Sequence, residues 1–484
     1  MEDTAAIGNT SNANDIRDAR ANKLNQHVGS LIASLGGFAF GISLGWNSSA
    51  SYVLRNVSSA SSFEIGLIGC MLNLGALLGS VAVPILVKIL GRVITVYLTM
   101  TINFLGWTLI CLSKQTMAPL MIGRLLCGVS GGVFCIITPF YIAEIAHCDI
   151  RERLLTFYHL MINSGIAYAF LLDYLLKERD DIWKYSLYCA LPCLSMGVIH
   201  ALPQSPLYYI KKKDYASAKR SLVWYRGERF NVEDELEELK RHSNRLKKVT
   251  FALVCNARVM RSLASSVIVM VTQQLCGVHT MIFYALTLFN SGGSGNLTGS
   301  EQTLAVGVTQ TLSCILAAIL IGALGRRILL TVSSALMGLF LIMIGWYFQA
   351  READPEIDDT HPWLPPTSIG LFFAAFNLGI GPISWSMLAD TFPAEIRTLA
   401  ASLVASTNWL LAILSSTMFV QMVGALGISR TLWSFAAFCF AGAILCAALC
   451  KDTSGKTLAR IQQDFFPVEG SRPEASRPTE ETKF

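Results

Sequence analysis

The sequence predicts an all-α membrane protein: twelve transmembrane helices in two pseudo-symmetric halves of six, joined by a cytoplasmic helical linker. Three observations carry that prediction. Of 484 residues only 15 % are charged while 53 % are apolar, and the mean hydropathy is +0.49; a soluble chain of this size is about a quarter charged. The deficit is concentrated, since Glu301 is the only charged residue between Leu263 and Gly325. Motifs of the first half also return in the second, in the same order. A spanning helix needs about 20 mainly apolar residues, and the chain supplies twelve such runs. This composition excludes a disordered chain, a nucleic-acid binder and most cytosolic enzymes.

Bounded by charges, Gly and Pro, the first six runs fall near 30–50, 64–87, 93–112, 118–143, 154–176 and 183–202. The second six fall near 259–290, 300–323, 328–349, 366–391, 398–423 and 428–450. The expected organisation is therefore an N-tail (1–29), an N-terminal half (30–202), a linker (203–258), a C-terminal half (259–450) and a tail (451–484). The tail ends SRPEASRPTEETKF, a composition that cannot bury a core and reads as disordered. The N-tail is polar as far as His27, so no cleavable signal peptide is expected and the first run directs insertion.

Lys and Arg placement sets the orientation. With both termini in the cytoplasm, 30 of the 38 basic residues lie on the inner side. The outer side and helix edges keep Arg55, Lys114, Arg124, Lys177, Arg179, Lys184, Arg351 and Arg430. The sequons at Asn56 and Asn296 then fall in outer loops, open to glycosylation, whereas those at Asn9 and Asn47 do not. Eleven of the 13 cysteines sit in apolar runs, leaving Cys148 and Cys255 in cytoplasmic positions. They read as small packing residues rather than a disulfide framework. The linker has helical spacing and mixed charge, the pattern of a solvated amphipathic bundle or of a partner-binding surface.

Two pairs of motifs mark an internal repeat. Ala143-Glu144 followed by Ile150-Arg151 returns as Ala389-Asp390 followed by Ile396-Arg397, with the same spacing. Leu90-Gly91-Arg92 returns as Leu324-Gly325-Arg326. A duplicated six-helix unit places a binding site at the midplane, between the halves.

Further stretches carry a family resemblance: GGFAFGISLGW in the first run, GRLLCGVSGG and TPFYIAEIA in the fourth, LPQSP after the sixth, QQLCGVHTMIFY in the seventh, GPISWSMLADTFPAEIR in the tenth, and KDTSGKTLARI in the tail. In this order, over nearly the whole chain, they resemble the sugar-porter family of the major facilitator superfamily. The SLGW of the first run is most similar to the family's insect facilitated trehalose transporters and vertebrate facilitative hexose transporters. The resemblance implies alternating-access, facilitated transport of a neutral sugar, glucose, another hexose or trehalose, across the plasma membrane. A non-transporting sugar receptor on the same fold, or a carrier of a non-glucose polyol, is the competing expectation. The expected partners are a small-molecule sugar and the lipid bilayer, with no nucleic acid and no cofactor; nothing in the residues speaks to an oligomeric state.

Sugar recognition requires hydrogen-bonding groups on a wet cavity and an aromatic wall. The candidates are Gln273, Gln274 and His279, Gln310, Asn377 and Trp385, Asn408 and Trp409, and His159. By resemblance, Gln273, Gln274, Gln310 and Trp385 occupy sugar-contacting positions. Adjacent glutamines point about 100° apart on a helix, and a break at Gly277 would let both reach one ligand. His159 stands where the family usually has Gln, and His279 where it has Asn, so an altered pocket is expected. Imidazole is bulkier than the amide and lacks its pair of protons.

Glu144/Arg151 and Asp390/Arg397 are expected to form cytoplasmic gate pairs, with Arg92, Arg326 and Arg327 beside them. The family's loop motif places an acid three residues before its glycine; here those positions are Lys88 and Gly322, and Gln204 replaces the Glu of PESP. Gly75/Gly79 and Gly128/Gly132 are small-xxx-small pairs suited to close helix packing. No metal-ligand cluster, paired catalytic carboxylates or nucleophile–base set is legible, so no enzyme is expected. Proton-coupled members often carry an acid in the first run where this chain has Ser43, which predicts uniport. The two histidines, with ordinary pKa values near 6.5, are the groups expected to make it pH-sensitive.

Overall fold

The computed structural model describes residues 23–57, 61–113, 116–176, 182–228, 230–244, 256–282, 298–354, 360–361, 363–393 and 395–450. The disordered-tail reading of 451–484, the N-tail before Lys23, Cys255, the glycine-rich 291–295 and Asn296 lie outside them. Among the described residues the chain is helical and contains no strand. The first half comprises α1 (Lys23–Ala33), α2 (Leu35–Val57), α3 (Ser62–Ile89), α4 (Gly91–Leu112), α5 (Met117–Ile145), α6 (Cys148–Leu175) and α7 (Ile182–Ala190), which passes into a 3₁₀ helix at Leu191–Ala201. The linker holds α8 (Pro206–Lys211), α9 (Tyr215–Arg226) and α10 (Val232–Asn244). The second half comprises α11 (Ala257–Leu275), α12 (Gly299–Leu324), α13 (Arg326–Ala353), α14 (Leu364–Leu378), α15 (Ile380–Asp390), α16 (Arg397–Leu426) and α17 (Ile428–Leu449).

Eleven of the twelve expected runs are helices long and apolar enough to cross a membrane. The other, 183–202, is helical but of mixed type. Pro192 has no N–H to return to Tyr188, and the Tyr188 carbonyl instead accepts from the Tyr168 hydroxyl at 3.1 Å. At rises of 1.5 and 2.0 Å per residue the two segments together reach roughly 35 Å, enough to span.

The duplication extends to helix starts. Ser61 and Glu64 form a capping box at α3, and Thr298 and Glu301 form one at α12, the corresponding helix of the second half. Glu301, the lone charge of its run, accepts from the Thr298 backbone N–H, and its own N–H donates to the Thr298 hydroxyl. The two small-residue pairs face each other across α3 and α5. A Cβ on Gly75 or Gly79 would lie 2.0 or 2.3 Å from the Leu125 or Val129 carbonyl, and one on Gly128 or Gly132 would meet Leu72 or Ala76 as closely. Between the halves, α6 packs on α12 and α3 on α16.

Two expectations are corrected here. Residues 23–29, assigned to the N-tail, belong to α1, where the buried Gln26 donates to the Tyr225 carbonyl (3.2 Å) and accepts from the His147 amide (2.7 Å). Asn56 lies in the last turn of α2 rather than in a loop, because that helix runs on to Val57. The linker helices share a small core of Ile210, Ala218, Leu222, Val232 and Leu236. They dock on the first half through Arg226, which grips Glu235 with two hydrogen bonds and donates its third to the Ile145 carbonyl at the C-terminal end of α5. A cation at that end also meets the negative pole of the helix dipole.

Candidate substrate site and candidate gate

The site begins with two broken helices. α11 ends at Leu275, and Gly277 takes φ +79° before helix resumes at 278–282. That left-handed step, natural for glycine, turns His279 back onto its own helix: the His279 ring nitrogen Nδ1 lies 2.6 Å from Gln274 Oε1. Gln274 Nε2 donates to Asn408 Oδ1 (2.6 Å), and Asn408 Nδ2 donates to Gln273 Oε1 (2.7 Å). Both glutamines therefore converge on one asparagine of α16.

The second break, at Gly379, separates α14 from α15, and Ser333 of α13 repairs it by donating to the Ala375 carbonyl and accepting from the Ile380 amide. Freed backbone groups inside a membrane need such partners. The break brings Asn377 to the first half: its Oδ1 lies 2.9 Å from His159 Nε2 and accepts from Asn163 Nδ2 at 2.6 Å. His159 also fills the space over Gly381, where a Cβ would come within 2.5 Å of Nε2.

Gly381 and Trp385 share a face of α15, four residues apart, and Trp385 joins the two polar groups. Its ring is 5.7 Å from that of Trp409, which meets His279 at 5.9 Å and Phe40 of α2 at 5.4 Å, both edge-on. Gln310, on α12, is buried, and its Nε2 has no hydrogen-bond partner among the described residues. Amides, imidazoles and indoles thus line a region that, among the described residues, is built without a carboxylate or a lysine. Such a set matches the hydroxyls and apolar face of a sugar and offers no counter-charge to an ion.

At the helix ends that carry the repeated motifs, the hydrogen-bonded carboxylate–arginine pairs are not the expected ones. Glu144 Oε2 receives Arg92 Nη1 and Ser205 Oγ, each at 2.5 Å. Asp390 is held by Arg326. The two repeated motifs of each half are therefore one unit, because the arginine at the start of α4 or α13 lies beside the end of the helix carrying the acid. Arg151 is buried, and Arg397 is directed by its Nε to the Phe392 carbonyl at 3.4 Å. Across the halves, Arg326 Nε lies 3.3 Å from Glu152 Oε1. Gln204 leaves no carboxylate in the linker turn, where Ser205 serves Glu144 instead. Beside it, burial lowers the Lys211 ammonium, and the Glu144 carboxylate partly offsets the effect. Lys88 is exposed, and Gly322 lies under the Arg153 guanidinium.

Asn163, Phe40 and Glu152 escaped the sequence reading. Asn163 stands four residues after His159, on the same helix face, a signal that was available. Arg124 is a correction, since it is fully buried in α5 rather than at an outer edge. Its guanidinium donates to the Ser43 carbonyl (2.5 Å) and the Asn47 amide oxygen (3.4 Å) and stacks 5.0 Å over Trp46. All three partners are neutral.

Comparison with known proteins places this architecture. The facilitated trehalose transporter Tret1 of Bombyx mori is 29 % identical over 450 residues, which cover 92 % of this chain and 88 % of that protein. Tret1 of Aedes aegypti is 28 % identical; the match covers 91 % of this chain and 55 % of that longer protein. The proton:xylose symporter XylE, solved with 6-bromo-6-deoxy-D-glucose, superposes with a TM-score of 0.79 at 20 % identity, over 92 % of this chain and all of that one. That likeness shows the fold alone. The family described as sugar (and other) transporter matches residues 13–465. With its duplicated halves and the uncharged polar network where they meet, the chain belongs to that sugar-porter family of the major facilitator superfamily.

Proposed function

We propose that the protein is a facilitative carrier of a neutral sugar, a hexose or trehalose, working by alternating access between its two halves. The observation that carries this reading is the network of Gln273, Gln274, His279 and Asn408 beside His159, Asn163 and Asn377, with Trp385 and Trp409 as the wall. The amides bond to one another and to neutral groups, while His159 Nδ1, Trp409 Nε1 and Gln310 Nε2 are buried without a partner among the described residues, so an entering sugar meets open and exchangeable hydrogen-bonding groups rather than charges. Trehalose enters as a candidate because the insect relatives carry that sugar in their names. Energy coupling to protons is disfavoured, since Ser43 and Arg124 offer no carboxylate to load and unload. Arg92, Glu144, Arg151, Arg326, Arg327, Asp390 and Arg397 are assigned to the cytoplasmic gate, and Asn56 and Asn296 to the outer face as acceptors for glycosylation. The protein resides in the cell membrane with both termini in the cytoplasm, an assignment that rests on the Lys/Arg asymmetry.

The test is uptake of a radiolabelled sugar panel by liposomes carrying the purified protein. The carrier predicts saturable uptake of at least one hexose or trehalose, counterflow, and no uphill accumulation under an imposed pH gradient. Saturable binding without counterflow would instead support a receptor on a transporter fold.

A further inference from the structure

The corner between α5 and α6 carries three consecutive metal-ligating residues, His147, Cys148 and Asp149, which neither the substrate network nor the gate uses. Three adjacent residues match no ligand-spacing signature, which is why the sequence reading expected no metal site. The fold brings them together. His147 is the N-cap of α6 with extended backbone (φ −67°, ψ 149°), and Cys148 and Asp149 are its first helical residues. The chain turns from strand-like to helical between the first ligand and the second, and all three side chains fall on one side.

Their spacing is that of a coordination shell. His147 Nδ1 lies 3.7 Å from Cys148 Sγ, Cys148 Sγ lies 3.5 Å from Asp149 Oδ1, and His147 Nδ1 lies 3.4 Å from Asp149 Oδ2. A tetrahedral zinc with bonds of about 2.3 Å to sulfur and 2.0–2.2 Å to nitrogen and oxygen separates its ligand atoms by about 3.4–3.6 Å. The two carboxylate oxygens differ by a rotation about χ2, a soft torsion, so one of them can serve both edges. Cys148 Sγ also lies 4.0 Å from His147 Nε2, over the ring, so an ion pair and thiol hydrogen bonds describe the empty cluster, and a turn of the imidazole about its soft χ2 aims Nδ1 at a shared ion.

We propose that His147, Cys148 and Asp149 form a three-ligand site for a zinc-type ion. A thiolate and an imidazole beside one carboxylate select zinc over calcium or magnesium, which require oxygen shells. On binding, the Cys148 thiol releases its proton to solvent, and the His147 and Asp149 lone pairs complete the protein's share of the bonds. The Asp149 side chain is 54 % exposed and that of His147 13 %, so the ion reaches the site from solvent and keeps a water as fourth ligand. The α6 N-terminus slightly opposes a cation, and burial and the Asp149 carboxylate hold Cys148 as the thiol until an ion displaces its proton. Glu144, Arg151 and Glu152 lie within five residues, and Gln26 holds the His147 amide, so the ion would brace the corner from which the gate is built.

The experiment uses the full chain in detergent with any affinity tag removed. Zinc is titrated against a chelating indicator, and cobalt(II) is used as a spectroscopic substitute. Wild type should bind one more equivalent than Cys148→Ser, show a thiolate-to-cobalt charge-transfer band, and lose that band in Cys148→Ser. His147→Gln should weaken zinc by more than the ~10–100-fold that loss of a mere supporting partner costs, and Asp149→Asn should weaken it by a smaller factor. Cys148→Ser, nearly isosteric, guards against misfolding of the other variants. Equal zinc affinity in wild type and all three variants, or no thiolate band in the wild type, would reduce the cluster to an ion pair and overturn the proposal.

Discussion

Arg326 donates Nη1 and Nη2 to the two carboxylate oxygens of Asp390, at 2.9 and 2.7 Å, and neither side chain is more than 3 % exposed. Arg92 and Glu144 form the corresponding contact in the first half, where the arginine side chain remains 24 % exposed. The halves are thus built alike but sealed unequally, with the drier and bidentate pair in the second.

Breaking that pair should be costly. Arg326→Ala leaves the buried Asp390 carboxylate without its bidentate partner, and the cost expected is about 3–5 kcal/mol, toward the lower end because Arg151 and Arg397 also act on that carboxylate. The Arg326→Ala/Asp390→Ala double variant should recover part of it. Thermal unfolding of the detergent-solubilised protein measures both; a double variant as unstable as the sum of the singles would show that the two residues act independently.

The polar network predicts affinity effects of a graded kind. Asn408→Ala removes the partner of both Gln273 and Gln274 and should raise the half-saturation concentration for sugar more than either glutamine variant alone. Gln273→Ala and Gln274→Ala should each lose about 1–3 kcal/mol of binding. Unchanged half-saturation in all three would leave these residues as glue between helices, worth about 0.6 kcal/mol per bond.

The histidines are expected to shape selectivity. His159 presses on Gly381 and His279 closes over Gln274. His159→Gln with His279→Asn keeps a hydrogen-bonding group at each place and removes ring volume, so glucose uptake should rise relative to trehalose. Competition between the two labelled sugars measures the ratio, and a ratio equal to that of the parent would refute a selectivity role.

Gly322 tests the depleted gate. A Cβ there would lie 3.1 Å from Arg153 Nη2, at the flexible end of that side chain. Gly322→Asp should therefore acquire an exposed ion pair of up to ~1 kcal/mol and, together with Lys88→Asp, shift the population toward the outward-facing state by up to about fivefold. Labelling of an introduced cysteine from the external side reports this shift, and an identical rate in parent and variant would show the missing acids to be compensated elsewhere.

Much was legible in the chain itself because a bilayer restricts the answer so strongly. Long uncharged runs mean spanning helices, and the repeat of LGR and of A-(E/D)…IR means two equivalent halves. The residue types available to a sugar, Gln273, Gln274, Gln310 and Trp385 among them, could be named because polar groups are rare inside such helices. Which of them meet was decided only by tertiary structure. Asn163 joins Asn377 across 214 positions of sequence, and Asn408 joins Gln273 across 135. Glu144 pairs with Arg92, 52 positions away, although Arg151 is closer in sequence, and Arg124 turns inward to a backbone carbonyl. Hydropathy records whether a helix enters the membrane. It does not record which face each helix turns to its neighbour, and polar partners are made only where two such faces coincide.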